Sequence, residues 1–105
     1  MNLNKLMKQA QKMQEKMAQA QAELAEKTVE VQAAGGKITV VANGAGDVIS
    51  IKIAKEIVDP EDVEFLEEAV LSGVTQAIEQ GKAVASSEMS KITDGMGMDV
   101  PGLGL

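Results

Sequence analysis

Four lysines stand out as side chains that can do chemistry: Lys5, Lys8, Lys12 and Lys16. They are three, four and four residues apart. On a helix, at about 100° per residue, they fall within an arc of roughly 80°. An ammonium is a point charge with three donors, suited to phosphate oxygens rather than to reading a base edge. A narrow cationic stripe of this kind is also what an ordinary solvated helix face looks like, so the spacing alone leaves both readings open. Other chemistries are poorly served. The chain has no His and no Cys, which removes most zinc chemistry, disulfides and the usual general base. Ser50, Ser72, Ser86, Ser87 and Ser90 have no evident base arrangement. The reading is therefore of a chain that is not an enzyme and needs no cofactor or metal.

The element that must present the lysines is a helix over residues 3 to 26. Leu3, Leu6, Ala10, Met13, Met17, Ala20 and Leu24 repeat at alternating spacings of three and four, an a/d heptad seam without a slip. This stretch has no Gly, Pro or β-branched residue, and Asn2 or Asn4 can cap it. The seam asks for a partner stripe, supplied by a second subunit or by the chain's own second helix. Met7, beside the seam, and Met13 and Met17 within it are expected to fill packing positions.

Charge is distributed unevenly. The net charge is −6, yet residues 1 to 27 hold five Lys and three Glu, while the remainder holds five Lys and thirteen acids. There is no Arg, so bidentate recognition of guanine is not available. The cations are gathered on the first helix of an otherwise acidic chain.

Three short alternating segments follow. Val29 and Val31 alternate with polar residues in Thr28 to Ala34; Ile38, Val40 and Ala42 share a face in Lys37 to Asn43; and Ile49, Ile51 and Ile53 share one in Val48 to Ala54. Gly35-Gly36 fits a two-residue hairpin turn and Asn43-Gly44-Ala45-Gly46-Asp47 a longer one. The latter is a poor phosphate loop, because it joins two strands and lacks the Lys-Ser/Thr ending. Asp59 is the expected N-cap of a second long helix, with Pro60 at its first position. Its apolar residues Val63, Leu66, Val70, Val74, Ala77, Ile78, Ala85 and Met89 keep the helical period toward an end near Asp94-Gly95. Gly73 and Gly81 interrupt it, as weak points or as sites of close crossing. Glu61, Asp62, Glu64, Glu67 and Glu68 follow no metal-ligand spacing and read as a solvated helix start.

The fold class expected is α+β, in the order α-β-β-β-α, with a three-stranded antiparallel meander flanked by two long helices. Residues 1–94 form the single domain and residues 95–105, rich in Gly and Met, a disordered tail. A single Phe65 is the only aromatic residue, so the core is thin and a second copy would help. Helices of about 36 and 50 Å cannot be covered by three short strands in one compact chain. No secretory or membrane segment is visible, which predicts a cytoplasmic protein.

The ordered combination of these features resembles the bacterial YbaB/EbfC family of nucleoid-associated proteins. The features are the opening Leu3-Asn4-Lys5-Leu6-Met7-Lys8-Gln9-Ala10-Gln11-Lys12-Met13-Gln14, Gly35-Gly36, Asn43-Gly44-Ala45-Gly46 before an Ile-rich strand, Asp59-Pro60-Glu61, and the ending Pro101-Gly102-Leu103-Gly104-Leu105. The resemblance covers essentially the whole chain. It implies a homodimer of tweezer-like form in the bacterial cytoplasm that binds double-stranded DNA and helps organise the nucleoid. Within it, Lys5, Lys8, Lys12 and Lys16 are the expected phosphate contacts, up to roughly eight in a dimer, giving weakly specific, salt-dependent binding. The alternative is an oligomerising adaptor that holds protein partners through the Gln-rich helix and the apolar tail.

Overall fold

The computed structural model describes residues 2–95, with side chains described for residues 2–91. The elements run α1 (Leu3–Glu26), β1 (Thr28–Ala33), β2 (Ile38–Asn43), β3 (Val48–Ile53) and α2 (Val63–Gly95), with short 3-10 turns at Ala34–Gly36 and Lys55–Ile57. This is the expected α-β-β-β-α order, with β2 central in an antiparallel sheet ordered β1-β2-β3. The helix expected over residues 3 to 26 has those bounds. Asn2 is its N-cap, accepting the Asn4 N–H at 3.1 Å.

One face of the sheet carries the core. Val31, Ile38, Val40 and Ala42 are buried against Ala77, and Leu66, Val70 and Val74 of α2 pack around them. Ile38 and Val40 are fully enclosed, each stabilising by about 1.5–3 kcal/mol. The helix comes this close because of what it lacks. Gly73, Ala77 and Gly81 recur every fourth residue and form one stripe. A Cβ at Gly73 would lie 2.9 Å from Val40 Cγ2, and one at Gly81 would lie 2.4 Å from the Asn43 carbonyl oxygen. The glycines thus admit a close crossing, and α2 continues through both without a break.

Three details depart from the sequence reading. The β1–β2 connection is longer than a two-residue hairpin: Ala33 pairs with Ile38, and Ala34, Gly35 and Gly36 all have positive φ (53°, 65° and 90°). Ala34 is the strained member, since the left-handed region costs a residue with a Cβ about 1–2 kcal/mol. In β3 the register shifts opposite Val41 and Ala42. Ile51 and Ile53 pair with Val40 and Ile38, but Val48, not Ile49, pairs with Ala42, so Ile49 is the bulged residue. Finally, Asp59 and Pro60 do not begin α2. The Asp59 carboxylate accepts the Glu61 N–H at 3.0 Å and its carbonyl accepts the Asp62 N–H at 2.9 Å, which closes a turn. Asp62 then accepts the Phe65 N–H at 3.4 Å, and α2 starts at Val63. An Asp side chain folded onto its own turn competes with helix capping.

The molecule is elongated, with a radius of gyration of 19.8 Å and extents of 71 × 29 × 17 Å, against about 13 Å for a compact chain of this size. Among the described residues no helix is long and apolar enough to cross a membrane. The tail expected over residues 95–105 lies, apart from Gly95, outside the described residues.

Candidate nucleic-acid interface

The lysines ride on a helix anchored at one end only. Along α1, Ala20 and Leu24 are buried, Met13 and Met17 half-buried, and every residue from Asn2 to Lys12 is exposed. The seam is therefore satisfied within the chain only toward its C-terminal end. There Leu24 lies near Ala85 and Met89, and Ala20 near Glu88 and Lys91, all on α2. Leu3 and Leu6 remain 69% and 45% exposed. The first half of α1 is an arm free of the body.

Lys5, Lys8, Lys12 and Lys16 are all exposed on this arm, as one stripe. The ion pairs among the described residues are Lys27–Glu88 (2.6 Å), Lys37–Glu56 (3.0 Å) and Lys91–Glu88 (3.4 Å). None of these uses an arm lysine. From Lys5 to Lys16 the stripe runs about 17 Å along the helix axis, roughly five nucleotides of one strand at about 3.4 Å each. The acids at the start of α2, Glu61 to Glu68, are exposed. They stand about 30 Å along α2 from the stretch that anchors α1. The acidic end and the cationic arm are thus kept apart, and no group of three or more potential metal ligands converges among the described residues.

The anchor itself is a joint of three elements. The Asn43 carboxamide is buried at the start of the β2–β3 turn. Its Oδ1 accepts the Ala45 and Asp47 N–H groups, both at 3.0 Å, and its Nδ2 donates to the Ala25 carbonyl of α1 at 3.1 Å. The Gly44 N–H is shared by the Leu24 and Lys27 carbonyls at 3.0 Å each. The last carbonyls of a helix lack partners within it, and here the turn supplies them. Lys27 adds its pair with Glu88, and the hydrogen bond from its ammonium is the main reason the Glu88 carboxyl is held below the ordinary carboxylate value. The sequence reading identified the turn but not the joint. Asn-Gly signals a turn, whereas the reach of its side chain to a helix 18 residues earlier is set by the tertiary fold.

Known proteins share the family and the fold of this chain. The profile of the YbaB/EbfC DNA-binding family matches residues 1–96. A protein named nucleoid-associated protein from Ruminiclostridium cellulolyticum is 50% identical over 102 residues, covering 97% of this chain and 88% of its own. One of the same name from Acetivibrio thermocellus is also 50% identical, covering 97% and 89%. Among solved structures, that of an uncharacterised protein from Helicobacter pylori superposes with a TM-score of 0.65 at 16% identity, covering 79% of this chain and 96% of the other. That likeness is one of fold.

Proposed function

Because the chain belongs to the YbaB/EbfC DNA-binding family, we propose that it is a nucleoid-associated protein that grips the phosphate backbone of double-stranded DNA with the arm of α1. Lys5, Lys8, Lys12 and Lys16 make the contacts, with weak sequence preference, and the protein works in the bacterial cytoplasm, contributing to nucleoid organisation and gene regulation. The observation that carries this reading is the arm: four exposed cations, making no ion pair among the described residues, on a helix that projects from an acidic body. A titration of duplex affinity against salt tests it. With about eight phosphates neutralised by a dimer, the log–log slope is expected near −7. A slope near zero would sink the reading.

The functional unit in this proposal is a homodimer, and the flank of the sheet beyond α2 supports it. β3 is an edge strand, and Ile49, Ile51 and Ile53 are 52%, 42% and 38% exposed. Beside it Leu66, Val70, Leu71 and Val74 of α2 line an open apolar groove with Ile53, and Leu71 is 67% exposed. An unpaired edge next to apolar surface is a template for a further strand. A second copy, approaching by a two-fold axis, would cover both flanks with the same residues. Changing Ile51 and Leu71 together to Glu is then expected to leave a monomer in sedimentation equilibrium. A wild-type dimer undiminished by the double change would place the interface elsewhere.

A further inference from the structure

The joint that anchors α1 has a bearing on how the arm reaches its ligand. Three residues lock it. Asn43 ties the turn to the Ala25 carbonyl. Gly44 lies so close to α1 that a Cβ there would sit 2.9 Å from Leu24 Cδ2 and 3.1 Å from the Leu24 carbonyl oxygen. Gly81 brings α2 against the Asn43 carbonyl from the other side. Asn43 is therefore held by α2 while it holds α1, and no buried side-chain polar atom among the described residues is left without a partner.

The arm is a lever on this joint. Lys5 precedes Leu24 by 19 residues, about 29 Å along the axis. A tilt of about 10° at the joint would move the Lys5 end by roughly 5 Å, more than the ~3.4 Å rise between nucleotides. Four lysines can meet successive phosphates together only if the tilt is restrained. Otherwise binding must order the arm each time, at a cost in affinity.

We propose that Asn43 is the positioning residue of the DNA-binding arm: its carboxamide, tied to the end of α1 while its backbone carbonyl lies against α2 at Gly81, sets the direction in which the lysine stripe points. This rests on the lysine reading above for its consequence in binding, but not for its consequence in geometry. Asn43→Asp removes the donor side of the joint. A carboxylate still accepts the Ala45 and Asp47 N–H groups, but it cannot donate to the Ala25 carbonyl, and it sets a second negative charge beside the Asp47 carboxylate, which Asn43 Nδ2 approaches at 3.5 Å. Gly44→Ala is the uncharged counterpart, wedging Leu24 away while removing no donor.

The chain has no Cys, so spin labels can be placed cleanly at Gln14→Cys, behind the leading turns of the arm, and at Gln80→Cys on α2, both exposed. Double electron–electron resonance, on labelled protein diluted with unlabelled protein, reads the arm-to-body distance. Both variants are expected to keep wild-type helix content, to broaden the distance distribution about twofold, and to weaken duplex binding roughly tenfold. The salt slope should stay at its wild-type value, because the same phosphates are met once the arm is ordered. A merely structural lesion would lower helix content without this pattern. A distribution as narrow as wild type in both variants would overturn the proposal, and so would broadening with affinity unchanged. If binding instead survives loss of the lysines, the phosphate assignment fails, while the distance measurement still decides whether Asn43 directs the arm.

Discussion

Replacing Lys5, Lys8, Lys12 and Lys16 together with Gln is expected to weaken duplex binding by at least about ten-thousandfold at low salt, and to flatten its salt dependence almost completely. A protein that neutralises 6–10 phosphates loses roughly 10³–10⁵ in affinity between 50 and 200 mM salt through counterion release, and removing the cations forfeits at least that much at the lower concentration. The substitution is mild for the fold. Gln and Lys have about equal helix propensity, and the four side chains are exposed and make no ion pair among the described residues. Circular dichroism should therefore be unchanged while the gel shift disappears. Single Lys→Gln changes should each reduce the slope by about two in a dimer, a graded loss rather than the all-or-none effect of a base-reading side chain. A quadruple variant that binds with wild-type affinity and slope would remove these residues from the interface.

The second large effect is on stability, and it turns on Gly81. In a solvent-exposed helix a Gly→Ala change is favourable by about 1 kcal/mol. Here the added methyl would meet the Asn43 carbonyl oxygen at 2.4 Å, a backbone atom of the central strand that cannot swing aside. Separating α2 from β2 would disturb the packing of Ala77 on Val40 and loosen the Asn43 joint in one movement. Overpacking of this kind costs about 1–3 kcal/mol, and the lost hydrogen bonds add to it, so we expect Gly81→Ala to lower stability by about 2 kcal/mol net. For a domain of this size that is a fall of roughly 10 °C in melting temperature, to be measured at fixed protein concentration because the proposed dimerisation would contribute. A melting temperature equal to or above wild type would mean that the close approach is not needed.

The contrast between these residues shows how far the sequence could be read. The bounds of α1, the order of the strands and the buried face of Ile38, Val40 and Ala42 all follow from local periodicity, which is a property of a few neighbouring residues. Gly81 read only as a weak point or a possible crossing, because the distinction depends on a strand that lies almost 40 positions earlier. Asp59-Pro60 carries the signature of a helix start, yet an Asp side chain can equally close its own turn, and Asp62 was available to cap in its place. The bulge at Ile49 escaped for a similar reason: Val48 and Ile49 are both apolar, and only the pairing with β2 decides which of them stands opposite Ala42. For the candidate interface, the stripe of exposed lysines on α1 was legible in their spacing. That α1 would be held at its last turns alone, by a carboxamide from the β2–β3 turn, was not.

An arm fastened at its root has a thermal life of its own. The leading turns of α1, from Leu3 to about Lys12, are exposed at every residue, and a helical stretch this short is marginal in water without tertiary help. Those turns can melt and re-form while the sheet and α2 stay intact, so warming should blunt the cationic tip well before the body denatures. Contact with a polyanion, or with a companion helix along the bare leucines, would then do what the core cannot: keep the tip wound.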